Sequence, residues 1–204
     1  MYTVFLCGGI ASGKSTVSRM LRERGARIID LDEVSREVTA PGAEACQVLA
    51  QAFGADVLDD RGALRRDVLA QRAFATPQGT ATLEQVVHPH IRARLAQLLE
   101  ENRAMAGMAV VEIPLLDRVE DLLPLADEVL CVTCPLEVRR VRAQQRGMEP
   151  ADFDARASRQ ITDEYLVAHA TTVLTNDGNE ADLKRKVAAW WDERPLRNGK
   201  EAWK

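Results

Sequence analysis

Residues Gly8 to Thr16 read Gly-Gly-Ile-Ala-Ser-Gly-Lys-Ser-Thr: a glycine, four residues, then Gly13, Lys14 and Ser15. That is the spacing of a phosphate-binding loop. A phosphate is held best by several backbone N–H groups converging on it, and side chains would block that approach, so Gly8 and Gly13 suit the task. A helix starting near Lys14 adds the positive end of its dipole. Lys14 reaches the β- and γ-oxygens as a point charge, and the Ser15 hydroxyl is the candidate ligand for a Mg2+ bridging the same phosphates. Gly9, Ala11, Ser12 and Thr16 complete the nucleotide grip, with Thr16 on the α/β side. Ala11 stands where many such loops carry another glycine, a position the pattern leaves free.

Asp30 and Asp32 stand at the end of the next apolar segment, Arg27-Ile28-Ile29-Asp30. In an open α/β sheet the carboxyl ends of strands are where ligands bind. If the segment stays extended, both carboxylates face the same side. One then orients Mg2+ waters, and the other accepts the proton of an attacking hydroxyl, as phosphoryl transfer to an alcohol requires. Asp32 is the candidate base; the alternative is a cap on the following helix. Asp30 or Glu112 is a candidate metal ligand through water, Glu112 standing equally well as a solvated strand end.

Six arginines fall between Arg139 and Arg159. A charge-spreading transition state at the γ-phosphate calls for cations that close over it, and the planar guanidinium fork matches phosphate oxygens. Arg142 and Arg146 are four apart, so a helix would point them at one ligand, and Arg156 is a further candidate. His88-Pro89-His90 lacks acidic partners at metal-ligand spacing, so His88 with Arg92 suits an anionic substrate group or plain surface placement instead. Cys131 and Cys134 form a C-x-x-C, but without the helix start of a redox motif or the second ligand pair of a zinc site they read as strand packing.

The elements that must position these residues alternate in the manner of a parallel sheet covered on both faces. Strands are expected at 3–7, 27–30, 108–113, 128–133 and 172–175, with helices at 14–24, 136–146 and 152–170. Between the second and third strands lie about seventy residues of helical pattern, far beyond an ordinary crossover. They are expected to form an insertion broken at Pro41-Gly42, at Asp60-Arg61-Gly62 and at Thr76-Pro77. Asn176-Asp177-Gly178 reads as a turn after the last strand.

The chain has 204 residues, 46% hydrophobic and 28% charged, which suits one α/β core with an insertion. A formal charge of −4 argues against a general nucleic-acid binder. No stretch approaches the roughly 18 consecutive apolar residues of a membrane span. With a core strand at the very start there is no room for a signal peptide, so a cytoplasmic protein is expected.

Together these features resemble the dephospho-coenzyme A kinase family, from Val4 to about Gly178. The loop and Ile28-Ile29-Asp30-Leu31-Asp32 look like its phosphate loop and aspartate motif. Within the insertion Phe53-Gly54, Gly62-Ala63-Leu64-Arg65-Arg66, Phe74, Leu83-Glu84 and His88-Pro89 follow its pattern in order. Glu112-Ile113-Pro114-Leu115-Leu116 resembles its PLL signature, Pro135, Arg142, Arg146, Arg156 and Gln160 its lid, and Asn176-Asp177-Gly178 its adenine loop.

The resemblance implies an α/β fold: a three-layer P-loop core (1–32, 105–135 and 170–194), a helical acceptor domain (33–104) and an arginine-rich lid (136–169), followed by a polar tail (195–204). It implies ATP and Mg2+ as cofactors and dephospho-coenzyme A as the small-molecule substrate. Asp32 becomes the base, Lys14 with Arg142 or Arg146 the stabilisers of the phosphoryl group, and Arg66, His88 and Arg156 substrate-binding residues. Asn176 and Gly178 fall on the nucleotide side. No nucleic acid or membrane partner is implied, and the expected assembly is a monomer or small homo-oligomer.

Asp117-Arg118, with Glu120 nearby, depart from the family's aromatic and glutamate after PLL, as do Leu166 from a lysine and Ala170-Thr171 from Ala-Asp. A nucleoside or nucleoside-monophosphate kinase is the neighbouring alternative. A nucleotide-dependent switch is the more distant one, and the chain has no N-K-x-D loop of a guanine-specific switch.

Overall fold

Five short apolar runs become the sheet. In the computed structural model, which describes residues 1–103 and 106–194, they are β1 (Tyr2–Cys7), β2 (Arg27–Asp30), β3 (Met108–Glu112), β4 (Glu128–Thr133) and β5 (Thr172–Thr175). All pairings are parallel, in the order β2-β3-β1-β4-β5. Val4, Phe5 and Leu6 of the central strand are wholly buried, as expected of a sheet covered on both faces.

The chain divides into two compact units, Met1–Asp30 with Glu101–Lys204, and Leu31–Glu100. In the first, helices α1 (Lys14–Glu23) and α9 (Glu180–Asp192) pack with the sheet around Val17, Leu21, Val110, Leu130, Val132, Leu183 and Val187. An Asn179 capping box with Asp182 starts α9. The second unit is helical, with α2 (Leu31–Val38), α3 (Glu44–Phe53), α4 (Arg66–Ala73) and most of α5 (Pro77–Arg103). Its buried side chains include Ala45, Cys46, Leu49, Leu69, Val87, Ile91 and Leu95. The arginine-bearing segment 136–169 belongs to the first unit and forms α6 (Leu136–Gln145), α7 (Pro150–Ala157) and α8 (Asp163–Ala168). The polar tail expected at 195–204 and the boundary expected at 104–105 lie outside the described residues.

Two local expectations are corrected. The segment after Asp30 does not stay extended, because α2 begins at Leu31. Asp32 therefore lies in a helical first turn, where an acidic side chain complements the helix dipole, and the strand-alternation argument for pairing it with Asp30 lapses. The helix expected at 152–170 is two helices. Arg159 and Gln160 donate backbone bonds only three residues back, and the Thr162 hydroxyl accepts from Tyr165 N to start α8 afresh.

The described residues contain no helix long and apolar enough to cross a membrane. The C-x-x-C cysteines are both buried free thiols, Cys131 in β4 and Cys134 just beyond it. Cys131 pairs in register with Cys7, and its hydrogen bond to Cys7 and its burial push its thiol far above the ordinary range. Burial likewise raises Cys134. These are neutral core thiols, and no metal-ligating cluster occurs among the described residues.

A buried charge cluster ties β4 to the end of the first unit. Glu128, 4% exposed, accepts from Arg194 Nη2 at 2.6 Å, Arg194 Nε at 2.9 Å, Trp190 Nε1 at 2.8 Å and Tyr2 Oη at 2.9 Å. The Arg194 guanidinium also lies 4.3 Å over the Trp190 ring. Burial alone would raise the Glu128 carboxyl, but the donors around it bring it down to about 2. Because the folded value lies below the unfolded one, this group stabilises the fold fully above about pH 4.5 and loses that contribution as pH falls toward 2. The shift corresponds to roughly 3 kcal/mol. Glu128→Gln is expected to cost about 3 kcal/mol at pH 7, since it leaves Arg194 buried without its counter-charge. Urea titrations at pH 7 and pH 3 check this: the mutant's deficit should shrink at the lower pH, and an equal deficit at both would show that the carboxylate charge is not the source.

Candidate active site

The parallel strands deliver their C-terminal ends to one edge of the first unit, and the phosphate loop follows the central one. Gly13, the residue before α1, has φ 105°, and the Asn176 amide nitrogen occupies the space a Cβ would need there. Only glycine fits both conditions. Helix α1 has no side-chain cap and no acidic residue in its first turn, so its leading N–H groups are left for an anion. Ala11 has φ 56°, a left-handed conformation that costs a non-glycine residue about 1 kcal/mol.

Around this helix start lies an open cleft of about 210 Å³. It is lined by Gly8, Gly9, Ile10, Ala11, Gly13, Lys14, Ser15 and Thr16 of the loop, joined by Pro114, Arg146 and Gln160. Lys14 Nζ donates to the carbonyl of Ile113, just beyond β3, at 3.1 Å. Ser15 is exposed and its hydroxyl makes no hydrogen bond among the described residues. Ser12 is not part of the lining: it is buried, with an unpartnered hydroxyl, and its carbonyl accepts from Asn176 Nδ2 at 2.7 Å.

The two acidic strand ends are neighbours, Asp30 of β2 lying in register with Glu112 of β3. Ser18 of α1 donates to Glu112 Oε1 at 2.5 Å, so Glu112 is a half-buried carboxylate tied to the loop helix rather than a solvated strand end. Asp32 is exposed in the first turn of α2.

Arg142 and Arg146 differ in their surroundings. Arg146 lies just past the end of α6, where the chain turns toward Gly147, and it contributes to the cleft lining. Arg142, inside the helix, is spent on the β5 loop. Its Nη1 donates to the Asn176 carbonyl at 3.0 Å and its Nη2 to the Gly178 carbonyl at 2.9 Å. Arg142 thus braces Asn176, which in turn holds the loop through the Ser12 carbonyl.

The remaining arginines of segment 136–169 have separate surroundings as well. Arg140 pairs with Glu137 and Asp154, while Arg156 is exposed on α7. Arg139 is buried, joined to Asp163 at 3.2 Å, and its guanidinium fills the space where a Cβ on Gly9 would stand. In the second unit, Arg66 at the start of α4 donates to the Thr39 hydroxyl at 3.0 Å, and half-buried His88 lies on α5 before Pro89.

Nothing in the sequence marked Ile10 as lining or Arg139 as a buried support of the loop, and Pro114 and Gln160 fell only on the family's PLL and lid patterns. The departures have structural counterparts. Leu166 is buried in α8, and the Thr171 hydroxyl both accepts from Val129 N at 2.7 Å and donates to Val129 O at 3.1 Å, pinning β4. Glu120 lies 4.0 Å from His169 Nε2.

The site has the parts of a phosphoryl-transfer enzyme: a loop for phosphates, a lysine, acidic strand ends, and a hydroxyl and a lining arginine side chain that have no partner among the described residues. The chain is similar to a dephospho-CoA kinase of Corynebacterium jeikeium (strain K411), 42% identical over 193 residues that cover 94% of this chain and 98% of that one. A Thermus thermophilus crystal structure superposes with TM-score 0.76 at 32% identity, covering 94% of this chain and 97% of the other. A dephospho-CoA kinase from Campylobacter jejuni shares the fold, with TM-score 0.69 at 23% identity, over 94% and 96%. The model of the family described as "Dephospho-CoA kinase" matches residues 2–182, and the chain belongs to that family of kinases.

Proposed function

We propose that the protein transfers the γ-phosphoryl group of ATP to the ribose 3′-hydroxyl of dephospho-CoA, giving coenzyme A and ADP. The observation that carries this reading is the cleft at the start of α1, where loop amides, Lys14, Ser15, Thr16 and Arg146 share one lining in a chain of this family. The amides and the helix dipole hold the inner phosphates. Lys14 and Arg146 neutralise charge that grows on the outer oxygens during transfer. Arg142 serves the nucleotide indirectly, by holding Asn176 and Gly178 in place beside the loop.

In the chemical step the acceptor's 3′-oxygen bonds to the γ-phosphorus as the bond from that phosphorus to the β,γ-bridging oxygen breaks. The hydroxyl proton passes to the carboxylate of Asp32, which later releases it to water. The helical unit Leu31–Glu100 is the acceptor side, with Arg66 and His88 as cationic or hydrogen-bonding partners for the substrate's phosphates, and Arg156 a further contact from α7. The residues fit Mg2+: the Ser15 hydroxyl is unpartnered, and Asp30 and Glu112 lie side by side to hold its waters. If bound, the ion would supply charge neutralisation at the phosphates of the donor. The reaction requires only small molecules, in the cytoplasm, with no nucleic acid or membrane partner, and a monomer or small homo-oligomer suffices.

Locating the transferred phosphate tests the reading. Phosphorus NMR of the product formed from ATP and dephospho-CoA should show a single new monoester on the ribose 3′-oxygen. A phosphate at another position, or no product, would overturn it.

A further inference from the structure

One side chain in the cleft is held in a way that neither the loop pattern nor the family's arginines account for. Gln160 stands in the turn between α7 and α8, and its Oε1 accepts from the backbone N–H of Ile10 at 2.7 Å. Because a backbone N–H can only donate, this bond fixes which end of the amide faces the loop. The Oε1 end is on Ile10, and the Nε2 end is committed to the other direction. Nε2 has no hydrogen-bond partner among the described residues, while Gln160 lines the same cleft as Lys14, Ser15 and Arg146.

The turn that carries Gln160 is itself fastened. Gln160 N donates to Ala157 O at 3.2 Å, and the Thr162 cap starts α8 immediately after. Arg139 spans from Gly9, where it takes the space of a missing Cβ, to Asp163 at 3.2 Å. The amide is therefore presented from a clasp that grips the Gly9–Ile10 arm, and little ordering is left to be done on binding. Lys14 Nζ, the group that reaches the terminal phosphates, rests on the Ile113 carbonyl, and Lys14 and Pro114 share the cleft lining with Gln160.

We propose that Gln160 is a specificity-determining residue that distinguishes a nucleoside triphosphate from a diphosphate, its Nε2 donating to the terminal phosphoryl group while Ile10 holds its Oε1. This rests on the reading of the cleft as a nucleoside triphosphate site. The amide is neutral, so it recognises the terminal oxygens by geometry and adds no charge that would trap the diphosphate product.

Equilibrium binding of ADP and of a non-hydrolysable ATP analogue to the wild type, Gln160→Glu and Gln160→Ala tests the proposal. Glutamate keeps an acceptor for Ile10 but replaces the donor with a carboxylate oxygen. Q160E is expected to bind ADP within about threefold of wild type and the analogue at least about tenfold more weakly, the scale of a lost hydrogen bond to a charged group. Q160A is expected to weaken the analogue more than ADP as well. A loss equal for both nucleotides would mean that Gln160 is only a loop brace, and wild-type analogue affinity in Q160E would remove it from recognition altogether. A wild-type protein that bound neither nucleotide would bring down the reading of the cleft itself, a result distinct from a failure confined to the variants.

Discussion

Lys14→Ala lowers kcat/KM for ATP by about a hundredfold to a thousandfold, the effect of deleting one preorganised charge at the transferring group. The ammonium is not needed to hold the fold. Its bond within the first unit is a part-buried contact with the Ile113 carbonyl, and a charge-assisted bond of that kind contributes only about 1.5 to 3 kcal/mol. The mutant should therefore remain folded while its steady-state kinetics collapse. Most of the loss should fall on kcat, because the α1 amides still hold the inner phosphates and because charge on the outer oxygens peaks in the transition state. A Lys14→Ala enzyme of normal turnover would contradict the assignment of this loop to the phosphates of the donor.

Asp32→Asn is expected to retain nucleotide binding and to lose at least about a hundredfold in kcat, the usual scale of a general-base contribution. The substitution discriminates sharply because Asp32 lies in the first turn of α2. If the side chain served only the helix end, asparagine would serve nearly as well, with a stability change below about 1 kcal/mol from the lost charge near the dipole. Only a role as proton acceptor makes the change severe. Isothermal titration with an ATP analogue, alongside turnover with dephospho-CoA, separates the two. Unchanged affinity with collapsed turnover is the expected pair, and near-normal turnover would remove Asp32 from the mechanism.

The five strands were legible because each is a short run with apolar residues and a glycine, aspartate, asparagine or proline at its end or within two residues of it, and because a parallel sheet is covered on both faces. The loop was legible for a stronger reason, since its glycines, Lys14 and Ser15 are fixed by local backbone geometry. What depended on distant partners was not. Arg142 and Arg146 share a helical spacing, yet the α6 helix ends at Gln145, and the carbonyls that hold Arg142 belong to Asn176 and Gly178, more than thirty residues downstream. The Asp30 and Asp32 pairing failed on one residue, since the chain turns into α2 at Leu31. Gln160 fell on the lid pattern, but its contact was not legible because its partner is a backbone N–H of Ile10, which any residue at that position would supply.

The claim that joins these parts is that the cleft serves one acceptor. The most direct test measures ATP consumption with dephospho-CoA, AMP, CMP, UMP and adenosine presented separately to the same enzyme. Turnover with dephospho-CoA is expected to exceed that with every other acceptor by at least about a hundredfold in kcat/KM, the scale expected when a site's polar groups are left unpaired by a substrate lacking the matching ones. Preference for a nucleoside or a monophosphate, or ATP hydrolysis indifferent to any acceptor, would contradict it.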